Sequence, residues 1–354
     1  MAIGAGLVAL AALVMGVVGT WVVRAVGRRG RLLDSAGAAG HAKPVVRAVP
    51  NVGGVAIFWS IAGAVALGAA LGWIDVPARE VLIVGAAALG LHVVGLVDDR
   101  RALGPAAKLA AQAIAGLVPP VVLGVRSLEL LDGHVGGPWL SIVVTTAWFV
   151  AVTNALNFMD NMDGIAASSA GLCAAALGSI ALMHDPDVVV AVCAAMVGAC
   201  AGFLVFNAPA GKRRATIFMG DGGSLVLGYL VAYCAVRVTY VADAQSAQLA
   251  AVFVPVCVVA IPLYDLVAVS VIRVSQGKSP MVGDQQHFTH RLRKRGLSDG
   301  RVCAVVAGCV AITAMAGVIL TRLEGWWPLL AAGQVVAMVG VIALFERGAA
   351  KGER

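Results

Sequence analysis

The chain has 354 residues, 60% hydrophobic and 13% charged, with a mean hydropathy of +0.92, whereas a soluble domain carries about 25% charged residues. This composition excludes a water-soluble globule and a disordered chain and implies an integral membrane protein. Its 26 Lys and Arg against 19 Asp and Glu could suggest nucleic acid, but the charge is distributed as in a membrane topology, so no nucleic-acid partner is expected.

Apolar runs near the ~20 residues needed to cross a bilayer as helix fall at about 2–23, 51–73, 80–97, 106–125, 139–158, 164–183, 187–206, 222–240, 248–272, 301–321 and 327–346. They predict an all-α polytopic protein of about eleven spans, because uncharged runs satisfy their backbone in lipid as helices and barrel-type alternation is absent. The first run is followed, not preceded, by positive charge, so it is read as a retained helix rather than a signal peptide. Numbering the connections in order, 22 of the 26 basic residues fall on one face, and only Arg79, Arg126, Arg237 and Arg322 on the other. That bias places the first face in the cytoplasm, with the N-terminus outside and the C-terminus inside. The seven cysteines lie within spans and form no C-x-x-C pair, which suits packing residues rather than a disulfide framework or a zinc site.

In chain order, every polar cluster of note follows an outside-to-inside span. "GLVDDRRALGPAAK" carries Asp98, Asp99 and Lys108; "NALNFMDNMDGIAA" carries Asn154, Asn157, Asp160 and Asp163. A third connection runs from Asn207 to "GDGGS", with Asp221 opening the next helix, and a fourth holds Asp284, His287, His290 and Arg291. Acids at the membrane interface are costly unless paired or bound to a cation, and one lysine cannot neutralise Asp98, Asp99, Asp160, Asp163 and Asp221 together. A divalent metal resolves this, and oxygen ligands without sulfur suit Mg²⁺, with Mn²⁺ as the alternative ion. "GDGGS" at a helix start offers N–H groups and a positive dipole end to an anion. Lys108, His287, His290 and Arg291 add donors that suit phosphate.

Taken with "RAVPNVGG" (47–54), "FMGDGGSLVLG" (218–228), "PLYD" (262–265) and "HFTHRL" (287–292), these stretches resemble the polyprenyl-phosphate N-acetylhexosamine-1-phosphate transferases. That bacterial family includes the undecaprenyl-phosphate N-acetylglucosamine-1-phosphate and phospho-N-acetylmuramoyl-pentapeptide transferases. The resemblance implies that a membrane-embedded polyprenyl phosphate attacks the β-phosphorus of a UDP-N-acetylhexosamine with Mg²⁺ and releases UMP. It implies Asp221 as the principal metal ligand with Asn157 supplying an amide oxygen to the metal, Asp98 and Asp99 orienting the lipid phosphate, and the Asp160 loop lining the nucleotide cleft. Lys108 and the His290–Arg291 pair would hold phosphate oxygens, with Asn154, Asp163, Asn207 and His287 also on the substrate side. The whole chain, 1–354, is then expected to be one transmembrane catalytic domain with active-site loops at about 24–50, 98–108, 157–164, 207–224 and 273–300. The resemblance further implies the bacterial cytoplasmic membrane with the site facing the cytoplasm, and is compatible with a homodimer.

The loop "DQQHFTHRLRKRG" lacks the run of consecutive histidines usual in the pentapeptide-sugar enzymes, which favours N-acetylglucosamine as the sugar. Plainer readings stand beside these. Asp98 and Asp99 next to Arg100 and Arg101 form a solvated charge cluster after a helix, Asp160, Asp163 and Asp221 are suited to N-caps, and Asp265, after Pro255 and Pro262, is either paired structurally or faces the cleft at a helix break. An ion-coupled transporter is the alternative of another class, but transporters place essential charges near mid-span, whereas these acids gather at helix ends.

Overall fold

Lipid offers no partner for backbone N–H and C=O groups, so the apolar runs close their hydrogen bonds within themselves. The structure, a computed structural model, describes residues 1–30, 49–129, 132–184, 187–209, 214–240, 248–281, 285–323 and 325–350. Arg47, which opens "RAVPNVGG", and Asp284 lie outside the described residues, as does most of the 24–50 loop. The helices are α1 (Ala2–Arg29), α2 (Gly53–Ala70), α3 (Ala78–Asp98), α4 (Pro105–Val118), the short α5 (Asp132–Val135), α6 (Trp139–Met159) and α7 (Ile165–His184). They continue as α8 (Asp187–Asn207), α9 (Asp221–Tyr240), α10 (Gln248–Val258), α11 (Ala260–Ser275), α12 (Phe288–Lys294), α13 (Asp299–Leu320) and α14 (Trp327–Ala350). Among the described residues, ten stretches are long and apolar enough to cross a membrane.

The expected ninth span, at 248–272, is two helices rather than one, and the break has a chemical cause. Pro255 lies inside α10 and Pro262 inside α11, with Val259 between them at φ −104°, ψ 19°. Pro262 has no N–H to give the carbonyl of Val258 four residues earlier, and that carbonyl instead accepts the Cys173 thiol at 3.2 Å. Prolines act again at the end of α4, where Pro119 and Pro120 widen the last turn into a π-helical one over Pro119–Leu123.

Small residues set the packing. In α8, Gly198 and Gly202 stand four apart against α1; a Cβ on Gly198 would lie 2.1 Å from the Ala9 carbonyl oxygen and one on Gly202 2.7 Å from that of Leu13. The two backbones touch, as small-xxx-small pairs allow. α9 forms the axis of the bundle: 89% of its membrane window is buried, against 28% for α1 and 22% for α14, and it packs against α3, α6, α7 and α2. The first turn of this axial helix carries the site.

Candidate active site

α9 begins at Asp221, and its first turn is pressed between the backbones of α2 and α3. A Cβ on Gly54 would lie 2.3 Å from the Gly223 nitrogen, and one on Gly95 2.4 Å from that of Gly222, so these glycines set the approach. The "PNVGG" stretch runs beside "FMG": Phe218 N–H donates to the Pro50 carbonyl at 2.8 Å, while Gly53 and Gly54 donate to Phe218 and Met219 at 2.9 and 2.8 Å. His92, buried in α3, hydrogen-bonds the Gly222 carbonyl at 2.7 Å and stacks on Phe58.

Asp99 completes this turn from outside. Its carboxylate accepts the N–H of Asp221 at 3.0 Å, the N–H of Gly222 at 3.3 Å and the amide of Asn51 at 3.0 Å. The helix-start amides expected to be offered to a substrate anion are thus taken by a protein carboxylate, which caps α9 from another element. Burial, and then the neighbouring Asp221 charge, push the Asp99 carboxyl up to about 7 against the pull of these hydrogen bonds.

Asp98, one residue earlier, faces the other way. One oxygen accepts the Leu103 N–H at 2.8 Å, fixing the turn into α4, and the other lies 3.1 Å from Lys108 Nζ. The same ammonium is 2.6 Å from Asp221 Oδ2, so one cation bridges the acids of two helices. Asn157 Nδ2, from α6, donates to Asp221 Oδ1 at 3.0 Å and to Ser224 Oγ at 2.9 Å. The structure therefore brings Asp98, Lys108, Asn157 and Asp221 together, with Ser224 and Asn51 as partners that the sequence reading did not single out.

From this cluster an apolar groove of 590 Å³ extends between α4, α6 and α11, with Lys108, Asn154, Asn157 and Phe158 at one end and Leu117, Val143 and Ala147 further along. Residues 157 to 143 of α6 span about 20 Å at 1.5 Å per residue, a large part of the hydrocarbon thickness.

Other expected site residues are placed differently. Asn154 pairs its amide with that of Gln112 across α4 and α6. Asp163 accepts the Ala215 N–H at 3.0 Å, and Asn207 bridges the Gly164 N–H and the Ile217 carbonyl at 2.8 and 2.9 Å. Those two side chains fasten the turn after α6 to the segment leading into α9. Asp160 is half-buried at the C-terminus of α6. His287 Nδ1 lies 2.8 Å from Asp265 Oδ2, whose other oxygen accepts the Phe288 N–H at 2.6 Å, and the His287 ring meets Phe158 edge-on at 5.4 Å. Asp265 is thus paired. His290 sits 6.1 Å from His287, ring to ring; burial first, then the charges of His287 and Arg293, depress its pKa to about 4. Arg291, expected on a phosphate, forms a two-pronged pair with Glu346 of α14 at 2.9 Å per bond.

Among the described residues no three His, Cys, Asp or Glu side chains gather closely enough to hold a metal by themselves. The oxygens of Asp98 and Asp221 already converge on one cation, Lys108 Nζ, and their hard, oxygen-only character fits Mg²⁺, which takes one or two carboxylates and fills its other positions with water and phosphate. Asn157 presents its amide nitrogen to Asp221 and would have to turn by half a rotation to offer an oxygen.

Comparison with known proteins agrees with this geometry. Residues 81–239, which contain Asp98, Lys108, Asn157 and Asp221, match the family described as Glycosyl transferase family 4. The chain is similar to the decaprenyl-phosphate N-acetylglucosaminephosphotransferase of Mycobacterium tuberculosis, 33% identical over 337 residues that cover 86% of this chain and 80% of that protein. The enzyme of the same name from Mycobacterium leprae is 32% identical over 334 residues, 85% of this chain and 81% of its own. The undecaprenyl-phosphate alpha-N-acetylglucosaminyl 1-phosphate transferase of Escherichia coli is 28% identical over 278 residues, 77% of this chain and 72% of its own. With a third of its residues shared across most of both lengths, and the acid-lysine-amide cluster inside the matched region, the chain belongs to glycosyl transferase family 4, among the polyprenyl-phosphate N-acetylhexosamine-1-phosphate transferases.

Proposed function

We propose that this protein transfers N-acetylglucosamine 1-phosphate from UDP-N-acetylglucosamine to a polyprenyl phosphate in the bacterial cytoplasmic membrane, at a site facing the cytoplasm. One observation carries the reading: a charged cluster of Asp98, Lys108, Asn157 and Asp221 opens onto an apolar groove about 20 Å long. A phosphate at the cluster and a prenyl chain in the groove match that division of polar and apolar surface. The names of the relatives supply the sugar and the carrier class.

In the reaction an oxygen of the lipid phosphate forms a bond to the β-phosphorus of the nucleotide sugar, and the bond from that phosphorus to UMP breaks. A phosphate monoester has a second pKa of about 6 and is mostly dianionic at neutral pH, so the nucleophile needs little deprotonation. Asp98 then acts by holding Lys108 and the turn into α4, while Lys108 faces the phosphate charge that develops between donor and acceptor. Asp221 and Asp98, with Asn157 adjacent, would hold Mg²⁺, which would supply further neutralisation of the diphosphate when bound. Asp99 holds the first turn of α9, and with it Asp221, in register. The neutral imidazole of His290 serves as a hydrogen-bonding group rather than as a cation.

The test is UMP release by purified protein in detergent with undecaprenyl or decaprenyl phosphate and Mg²⁺, comparing UDP-N-acetylglucosamine with UDP-N-acetylmuramoyl-pentapeptide and adding a chelator in a parallel arm. We expect metal-dependent UMP from the first donor. Release from neither donor defeats the reading, and release from the pentapeptide donor alone reassigns the sugar.

A further inference from the structure

We propose that Glu346, near the end of α14, is a positioning residue for the transfer reaction: through Arg291 it fixes the turn that sets His287 against the wall of the groove. The inference rests on the function proposed above, and α14 lies outside the matched family region of 81–239.

Arg291 spends each of its nitrogens inside the protein. Nε and Nη2 donate to the two oxygens of Glu346 at 2.9 Å each, and Nη1 donates to the Gln286 carbonyl. Glu346 also accepts the Tyr264 hydroxyl from α11. The pair is half-buried, with side-chain exposures of 14% for Arg291 and 8% for Glu346, so removing one partner leaves the other poorly solvated. Gln286 directly precedes His287, and the next two groups of the chain, His287 Nδ1 and Phe288 N–H, are bound by Asp265. The turn opening α12 is therefore held from two sides, by a carboxylate of α11 and, through Arg291, by one of α14. Arg295 adds a second tie, donating to the Glu346 carbonyl at 2.9 Å with its guanidinium 4.1 Å over the Phe345 ring. Phe158, the ring that His287 meets, is itself a lining residue of the groove. A small rotation of α12 would carry both histidines with it.

The test uses full-length protein in detergent and three variants: Glu346→Ala, Glu346→Gln and the double variant Arg291→Met/Glu346→Met. Buried ion pairs replaced together by apolar groups often keep stability, so the double variant retains folding where the alanine variant could fail. We expect Glu346→Ala to lose about tenfold to a hundredfold in kcat while KM for the nucleotide sugar stays within about twofold. Glu346→Gln, which keeps one of the two acceptor oxygens but not the charge, lies between Glu346→Ala and wild type. The double variant melts near wild type yet shows the low kcat. In spectra of isotope-labelled histidine, the His287 signal, assigned with His287→Gln, shifts in Glu346→Ala and in the double variant. A wild-type kcat in the double variant, or an unmoved His287 signal, overturns the proposal. A wild-type protein that releases no UMP fails the functional reading instead, and the His287 signal then decides this one alone.

Discussion

Lys108 is the hardest side chain of the site to replace, because its ammonium is the cation shared by Asp98 and Asp221. Lys108→Met should cut kcat by about a hundredfold or more, the usual cost of deleting one donor from a phosphate-stabilising set, and UMP release against time checks it. Asp99→Ala should act through α9. Losing a capping carboxylate costs about 0.5–2 kcal/mol, so a lowered melting temperature should accompany the loss of activity. His290 carries a pH signature. Its folded pKa of about 4 lies below the ordinary 6.5, so between those values the unfolded chain binds a proton that the native protein does not. Its contribution to stability is full above about pH 6.5 and is lost as pH falls towards 4. Melting temperatures from neutral to acid pH should therefore fall more steeply in wild type than in His290→Gln, and parallel curves would refute the assignment. At this scale the sequence was readable where local chemistry speaks: an acid flanked by glycines, an acid pair, an amide in a polar loop. It was unreadable where a partner lies far along the chain. Nothing near Arg291 announces Glu346, 55 residues on, and the Asp99 carboxylate looks like a free anion until α9 is laid against it.

Among the elements, α3 shows how backbone contact positions chemistry. A methyl on Gly95 would meet the Asp221 and Gly222 backbone at 2.4–2.5 Å, and those atoms cannot swing aside as a side chain would. Gly95→Ala should destabilise by about 1–3 kcal/mol and displace Asp221 enough to lose activity. Gly90→Ala on the same helix, with nothing within 4 Å, should be neutral or stabilising by about 0.5–1 kcal/mol. Thermal melts and UMP release on the two variants separate contact from helix propensity. The spans were legible because apolar length is a strong signal, whereas the break after Pro255 and Pro262 was legible only as one alternative and its place at Val259 was not. Hydropathy runs straight through it, and the two prolines fix its place only once the Cys173 thiol is found on the Val258 carbonyl.

For the molecule as a whole, the charge bias makes a prediction that the bundle sharpens. α3 runs from Ala78 to Asp98, so exposed Asp75 and exposed Arg100 lie beyond its opposite ends. In a background without native cysteines, a membrane-impermeant maleimide added to intact cells should label Asp75→Cys and leave Arg100→Cys unlabelled until the cells are opened. The reverse pattern would turn the site away from the cytoplasm. The close crossing of α1 with α8 at Gly198 and Gly202 also bears on biosynthesis. The opening helix leaves the ribosome long before its partner exists, so it must wait in the bilayer, tethered only by its neighbours, until the eighth helix is delivered. A larger residue at either glycine would then act as an assembly defect, leaving a full-length chain whose first segment never docks.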